Sequence, residues 1–359
     1  MEISPNNPST NQLGPELTEA DLSDAILNSD YPLQTSAANL IRQQLASLGR
    51  PFHVQEEWSY IDGDTHDLKT IAILAQQLLW DFPKQPRVRP ALDLLIECKQ
   101  SALPYVFFLS PSKPWADYFP LFAGLPKDTL VLETDDEAST TEMGIVSALG
   151  LASHPFLIGA PEYCVLSAKC VWRKSGIELS STESFHELVV PILKAMDHFR
   201  LTKLPPSTFF YFDCHLVIGI ALVDGPMVGV RISGQSHRLA LLPWVRVLRH
   251  ETDQIPDLQG TKRGLFAVDV VHKDFLQEYL SKHVLPFAES FSRLAVKHQQ
   301  ELASGEGFAT GMGKNWADHI EERLEPRRVK RRAQRTWLIT RNIFRFLTHR
   351  LPQKSRWDN

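Results

Sequence analysis

The stretch from Arg89 to Ser101 constrains the fold more than any other. It reads Arg-Pro-Ala-Leu-Asp-Leu-Leu-Ile-Glu-Cys-Lys-Gln-Ser, an apolar run that closes on Glu97-Cys98-Lys99. A short apolar run of this kind, opened by proline and closed by polar residues, predicts a buried strand. Side chains alternate along a strand, so Glu97 and Lys99 share one face while Ile96 and Cys98 point into the opposite layer. A carboxylate and an ammonium emerging together from a buried strand are costly without partners. Such a carboxylate can hold a hard cation such as Mg²⁺, and the lysine can orient or deprotonate a water beside it. The competing reading is a strand-end ion pair facing solvent, worth about 0–1 kcal/mol.

At 359 residues and 43% hydrophobic composition the chain is large enough for one large domain or two modest ones. Cys98, Cys164, Cys170 and Cys214 form no C-x-x-C pair and have no histidine at zinc-finger spacing. They read as buried thiols of a reducing compartment. The first fifteen residues are polar, without the basic-then-apolar order of a signal peptide, and no apolar run approaches membrane-spanning length. The expectation is a soluble, cytoplasmic protein. Charge is divided unevenly. Residues 323–359 carry twelve Lys or Arg against Glu325 and Asp358, a net +10, which leaves −14 on residues 1–322. The tail is therefore suited to an anionic partner, whether nucleic acid, a membrane surface or the acidic face of a protein.

Three segments follow from this reading: a disordered N-terminus over 1–15, an α/β domain over 16–305, and a hinge with a basic amphipathic tail over 306–359. Helices are predicted at Glu16–Leu27 and Ala37–Leu48, the second closed by Gly49. Strands are predicted at Phe52–Ile61, Lys69–Leu79, Arg89–Ser101 and Pro104–Leu109, with a turn at Asp62-Gly63-Asp64. Residues 111–162 carry no firm element. Beyond them come a strand at Tyr163–Trp172 and a capping box of Ser184 and Glu187, ahead of a helix that Pro191 interrupts. Phe209–Val223 and Met227–Ile232 are predicted to pair as a hairpin about Asp224-Gly225. Further strands are expected at Leu239–Leu248 and Leu265–Val271, then a helix from Asp274 to about Leu302, kinked at Pro286.

Leu-Leu-Ile-Glu-Cys-Lys-Gln-Ser, followed by Pro104-Tyr105-Val106-Phe107-Phe108, resembles the E-x-K half of the PD-(D/E)XK, restriction-endonuclease-like superfamily. Glu56-Glu57, Tyr60, Asp62 and the aliphatic strand before Glu97 follow the order of uncharacterised prokaryotic members. The resemblance implies an α/β fold: a restriction-endonuclease-like mixed sheet flanked by helices, here with a basic helical C-terminal tail. It implies metal-dependent phosphodiester cleavage of nucleic acid, most naturally DNA, and a role in defence against foreign DNA. Glu97 and Lys99 would be catalytic. Mg²⁺ or Mn²⁺ would be held by Glu97 and the backbone carbonyl of Cys98.

The superfamily's second carboxylate belongs on the preceding strand. Aligning Lys69-Thr70-Ile71-Ala72-Ile73 there puts Ala72 where an aspartate is expected, so the alternative is a catalytically degenerate relative that binds nucleic acid or a protein. Asp93 shares a face with Glu97 but lies about 13 Å along the strand, too far for one ion. Asp62, Asp64, Asp67, Asp81 and Glu57 are the other carboxylates near enough in sequence to contribute. Gly311-Met312-Gly313-Lys314 fails as a phosphate loop, with Phe308 at a glycine position and Asn315 after the lysine. Asp213 and His215 read as a core pair or as site residues brought in by folding. In the tail, Arg327, Arg328, Lys330, Arg331, Arg332 and Arg335 are the predicted phosphate-binding residues. Behind them Ile343, Phe344 and Leu347 share a helical face that suits a membrane or a partner.

Overall fold

The computed structural model describes residues 4–44, 50–80, 86–111, 119–134, 140–158, 162–205, 210–253, 262–309 and 320–326. The chain opens with helices α1 (Glu19–Leu27) and α2 (Tyr31–Gln44), then strands β1 (His53–Ile61), β2 (Leu68–Leu78), β3 (Val88–Gln100) and β4 (Tyr105–Ser110). The middle third, where the sequence predicts nothing firm, holds β5 (Leu121–Ala123), β6 (Thr129–Thr134), β7 (Thr140–Gly144) and the short helices α3 (Ile145–Ala148) and α4 (Pro155–Ile158). β8 (Glu162–Arg173), β9 (Gly176–Ser180), α5 (Ser181–Leu188) and α6 (Val190–Thr202) follow. Then come β10 (Phe212–Asp224), β11 (Met227–Ser233), β12 (Ser236–Leu241), β13 (Trp244–Asp253) and β14 (Lys262–His272). The described chain ends with α7 (Leu276–Tyr279), α8 (Leu285–Lys297), α9 (Gln299–Ser304), β15 (Glu306–Ala309), α10 (Ile320–Arg323) and β16 (Leu324–Pro326).

The architecture is α/β, a large mixed sheet flanked by helices. Its main ladder runs β1-β2-β3-β10-β14-β13-β8-β4-β11-β12, and a smaller sheet runs β16-β15-β6-β7. β1, β2 and β3 form an antiparallel meander. β3 then pairs in parallel with β10 over their full length, Val88 opposite Phe212 through Gln100 opposite Asp224. Even-numbered β3 residues Leu92, Leu94, Ile96 and Cys98 enter the layer of α2 and α8, while Leu95 faces the layer of α5 and α6. α6 can lie close on β10 because Gly219 has no side chain: a Cβ there would sit 2.4 Å from Ile192.

Several expectations give way. β10 and β11 do not pair as a hairpin about Asp224-Gly225; they stand five places apart in the ladder. The chain turns a corner there, beside the one between β3 and β4. Ser101 N–H donates to Asp224 O and Tyr105 N–H to Pro226 O, both at 2.9 Å. A Cβ on Gly225 would lie 2.3 Å from Ser101 O, so glycine serves the close approach of two corners. The predicted capping box gives way to a simple N-cap: Ser180, not Ser184, accepts the N–H of Glu183 and starts α5. Ser184 is buried against Ser167 at 3.0 Å. The helix does break before Pro191, which sits in the first turn of α6. The strand expected over Leu239–Leu248 is split at Leu242-Pro243 into β12 and β13. Ahead of Pro286 the helix widens into a π-turn, Leu280–Val284, which accommodates the proline without ending the helix. Residues 306–309, read as the start of a hinge, form β15 and pair with β6. Gly49, Asp81, Gly311–Lys314 and the tail residues Arg327–Leu347 lie outside the described residues.

The second half of the large sheet is fastened by an ion pair. Arg246 on β13 is 1% exposed and donates to Asp269 on β14 through Nε at 2.6 Å and Nη2 at 2.8 Å. Tyr279 Oη–H donates to the same carboxylate at 2.7 Å, and the guanidinium stacks 3.8 Å from the Phe119 ring centre. Arg246→Ala should therefore lower stability by about 3–5 kcal/mol, because Asp269 stays buried without its counter-charge. Arg246→Met with Asp269→Leu should recover much of that loss; urea unfolding of the three proteins measures it.

Candidate active site

The sequence-predicted pair converges at the C-terminal end of β3. Glu97 is 9% exposed and its Oε1 lies 2.8 Å from Lys99 Nζ. The two share a face, with Cys98 buried on the other side of the sheet. The β2–β3 ladder is regular from Leu78 opposite Ala91 to Ile73 opposite Ile96. One step further the antiparallel register brings Ala72 across from Glu97, and Ala72 N–H donates to Glu97 Oε2 at 3.4 Å. Backbone and a methyl group thus stand where the resemblance expects a carboxylate.

A third residue joins from a helix. Asp30, immediately before α2, places Oδ2 at 3.4 Å from Lys99 Nζ and accepts the Gln100 N–H through Oδ1 at 2.6 Å. Its own carbonyl accepts the Gln34 N–H at 3.0 Å, in the first turn of the helix. Sequence reasoning missed Asp30 because it started the helix six residues late, at Ala37. The signal was present: Asn28-Ser29-Asp30 is a run of helix-starting residues.

Burial dominates the electrostatics. It raises the Glu97 carboxyl above the ordinary carboxylate range, and Lys99 and the Ala72 N–H offset this only in part. For Lys99 burial works against the charge, but Glu97 and then Asp30 outweigh it and the amine is held above its usual value. Tyr60, on neighbouring β1, is pushed up to about 12 by burial first and by Asp62 and Glu97 next. The ammonium therefore serves as counter-cation to two carboxylates.

The other candidate carboxylates are engaged elsewhere. Asp93 is fully buried and accepts from Gln76 Nε2 at 2.5 Å, with His215 Nδ1 2.7 Å from its other oxygen. His215 is thus paired with Asp93, and Asp213 with Arg89 at 2.9 Å; they do not pair with each other. Asp62 closes the β1–β2 turn by accepting the N–H groups of Asp64 and Thr65. Asp64 is bound by Lys194, Asp67 lies 3.8 Å from Lys69, and Glu57 is exposed. Arg327, Arg328, Lys330, Arg331, Arg332 and Arg335 lie outside the described residues.

Mg²⁺ takes about six oxygens and is ordinarily held through one or two carboxylates. Here Glu97 is already engaged by an amine and an amide, and Asp30 by the same amine and another amide. Among the described residues no three His, Cys, Asp or Glu side chains come together as a metal site. The donor set does not fit a resident Mg²⁺ or Mn²⁺. Nor, among those residues, is any helix long and apolar enough to cross a membrane. No protein-family model, curated protein or solved structure matches the chain.

The raised Glu97 carboxyl has a pH consequence. Its folded-state pKa exceeds the unfolded value near 4.5, so the folded protein holds the proton more tightly. Stability falls as pH rises through that interval, and the deficit persists above it. Glu97→Gln should remove this decline. Denaturation midpoints measured from pH 4.5 to neutrality should then fall less steeply in the variant than in the wild type.

Proposed function

We propose that the protein binds nucleic acid and is built on a restriction-endonuclease-like core whose cleavage site is degenerate. The observation that carries the reading is Ala72, which meets Glu97 with a backbone N–H where a second carboxylate is needed. The core supports the class: an antiparallel meander extended by a parallel strand, with α2 on one face, α6 on the other, and Glu97 and Lys99 at the end of the central strand. Nucleic acid enters through charge. A tail of +10 on a body of −14 concentrates phosphate affinity in Arg327, Arg328, Lys330, Arg331, Arg332 and Arg335.

The competing reading is a metal-dependent nuclease. It draws on Asp30, which gives the cluster two carboxylates around one amine.

Plasmid DNA incubated with the wild-type protein and Mg²⁺ or Mn²⁺ should stay intact. Ala72→Asp should gain Mn²⁺ binding, read by calorimetry. Cleavage by the wild type that Glu97→Ala or Lys99→Ala abolishes would overturn degeneracy in favour of the nuclease.

Duplex affinity should fall linearly with the logarithm of salt concentration. Replacing Arg331, Arg332 and Arg335 with glutamine should reduce that slope by about 2–3, at roughly 0.9 per phosphate contact. Fluorescence-anisotropy titrations across salt measure it, and binding indifferent to salt would remove the tail from the account.

A further inference from the structure

The part of the large sheet from β9 to β12, antiparallel except where β4 meets β11, departs from the ordinary pattern. Where one sheet face is packed and the other wet, residues alternate apolar and polar along each strand. One face of β8 and β4 is packed under α5. Lys169 donates to Glu187 at 2.8 Å, Ser184 donates to Ser167, and Tyr105 and Phe107 are fully buried. The other face is apolar. Cross-strand partners share a face, so the register lays Leu166, Phe108, Val230 and Leu239 in one row. Ala168, Val106, Val228 and Leu241 form the next. Cys170 opposite Leu179 and Trp172 opposite Ile177 carry the surface on to β9.

The centre of this face is closed by its own contacts: Val106, Cys170 and Val230 are 7–9% exposed. Around them the large side chains stand in solvent. Leu166 is 52% exposed, Leu239 64%, Ile232 65%, Trp172 68% and Leu241 78%, with Ile177 and Leu179 also beyond half. Besides the Cys170 thiol, these rows carry one ionisable side chain, His237, which pairs with Ile232 at the margin.

We propose that this face is where two copies of the chain meet, sheet against sheet. A surface almost without charge is complementary to itself, as a twofold interface requires. Seven large side chains at these exposures leave about 800 Å² uncovered, the share each partner contributes to a standard interface and more than most soluble monomers show. Trp172 is a suitable anchor, since tryptophan dominates interface energetics when fully desolvated. Two such faces pack about 10 Å apart, with interdigitated side chains.

Sedimentation of the full-length protein at micromolar concentration should give twice the chain mass of 40.7 kDa. Trp172→Lys with Leu239→Lys should raise the dimer dissociation constant at least about 100-fold and leave the melting curve of a folded protein. Ile232→Ser with Leu241→Ser replaces it where the lysines disturb folding. Leu68→Lys, at an equally exposed position off this face, should remain dimeric. A wild type that is monomeric throughout, or a dimer that the face variants do not weaken, overturns the proposal. A monomer that co-sediments with phosphatidylcholine vesicles overturns it too, and assigns the face to a lipid surface instead.

Discussion

The structure depends on β3 being paired along both edges, covered on both faces, and still carrying ionisable side chains. Arg89, Asp93, Glu97 and Lys99 are spaced along it, and an uncompensated charge at such a depth costs several kcal/mol. Each charge dictates a neighbour. Arg89 lies directly opposite Asp213 in the parallel register, and Asp93 takes His215 from the same strand. A slip of one residue would turn both partners to the wrong face. Glu97 and Lys99 satisfy each other, and Lys99 takes Asp30, which fixes the start of α2 at the strand's end. The pairing of β3 with β10, with more than a hundred residues between them, is thus marked by polar contacts, Arg89 with Asp213 and Asp93 with His215, alongside the apolar packing.

What could be read in advance was local. The bounds of β1 to β4 followed from apolar runs and their punctuation, and the common face of Glu97 and Lys99 followed from the two-residue period. The Asp224-Gly225 turn was misread because a glycine that permits a hairpin also permits two corners to touch, and only the tertiary contact with Ser101 tells them apart. Asp93 and His215 were each visible, but their partnership joins strands distant in sequence and no periodicity encodes it. Asp30 was missed through a helix boundary, and a boundary is where propensity is weakest as a guide.

The corners also explain why one half of the sheet looks unlike the other. β3 and β10 turn together into β4 and β11, so the sheet curls and its two ends serve different layers. Around β3 both faces are covered by helices, and apolar residues on both faces are necessary. In β8, β4 and β11 the face turned away from α5 is apolar too, and among the described residues its large side chains stand in solvent. The second layer proposed for that face is the same sheet of another copy.

The site and the tail are linked by charge. As it stands the cluster of Glu97, Lys99 and Asp30 has a formal sum of −1, the amine offsetting one of its two carboxylates. An aspartate at position 72 would take the sum to −2 and place the added oxygen opposite Glu97, on the strand rather than the helix. Alanine rather than aspartate at position 72 therefore sets the charge of the cluster as well as the number of oxygens around it. A body at −14 repels a polyphosphate wherever the two approach within a Debye length, about 8 Å at physiological ionic strength. On the proposed reading, affinity for a polyphosphate comes from the basic segment. On the proposed reading the body keeps its α/β core for packing, and the end of β3 holds an ion pair between Glu97 and Lys99.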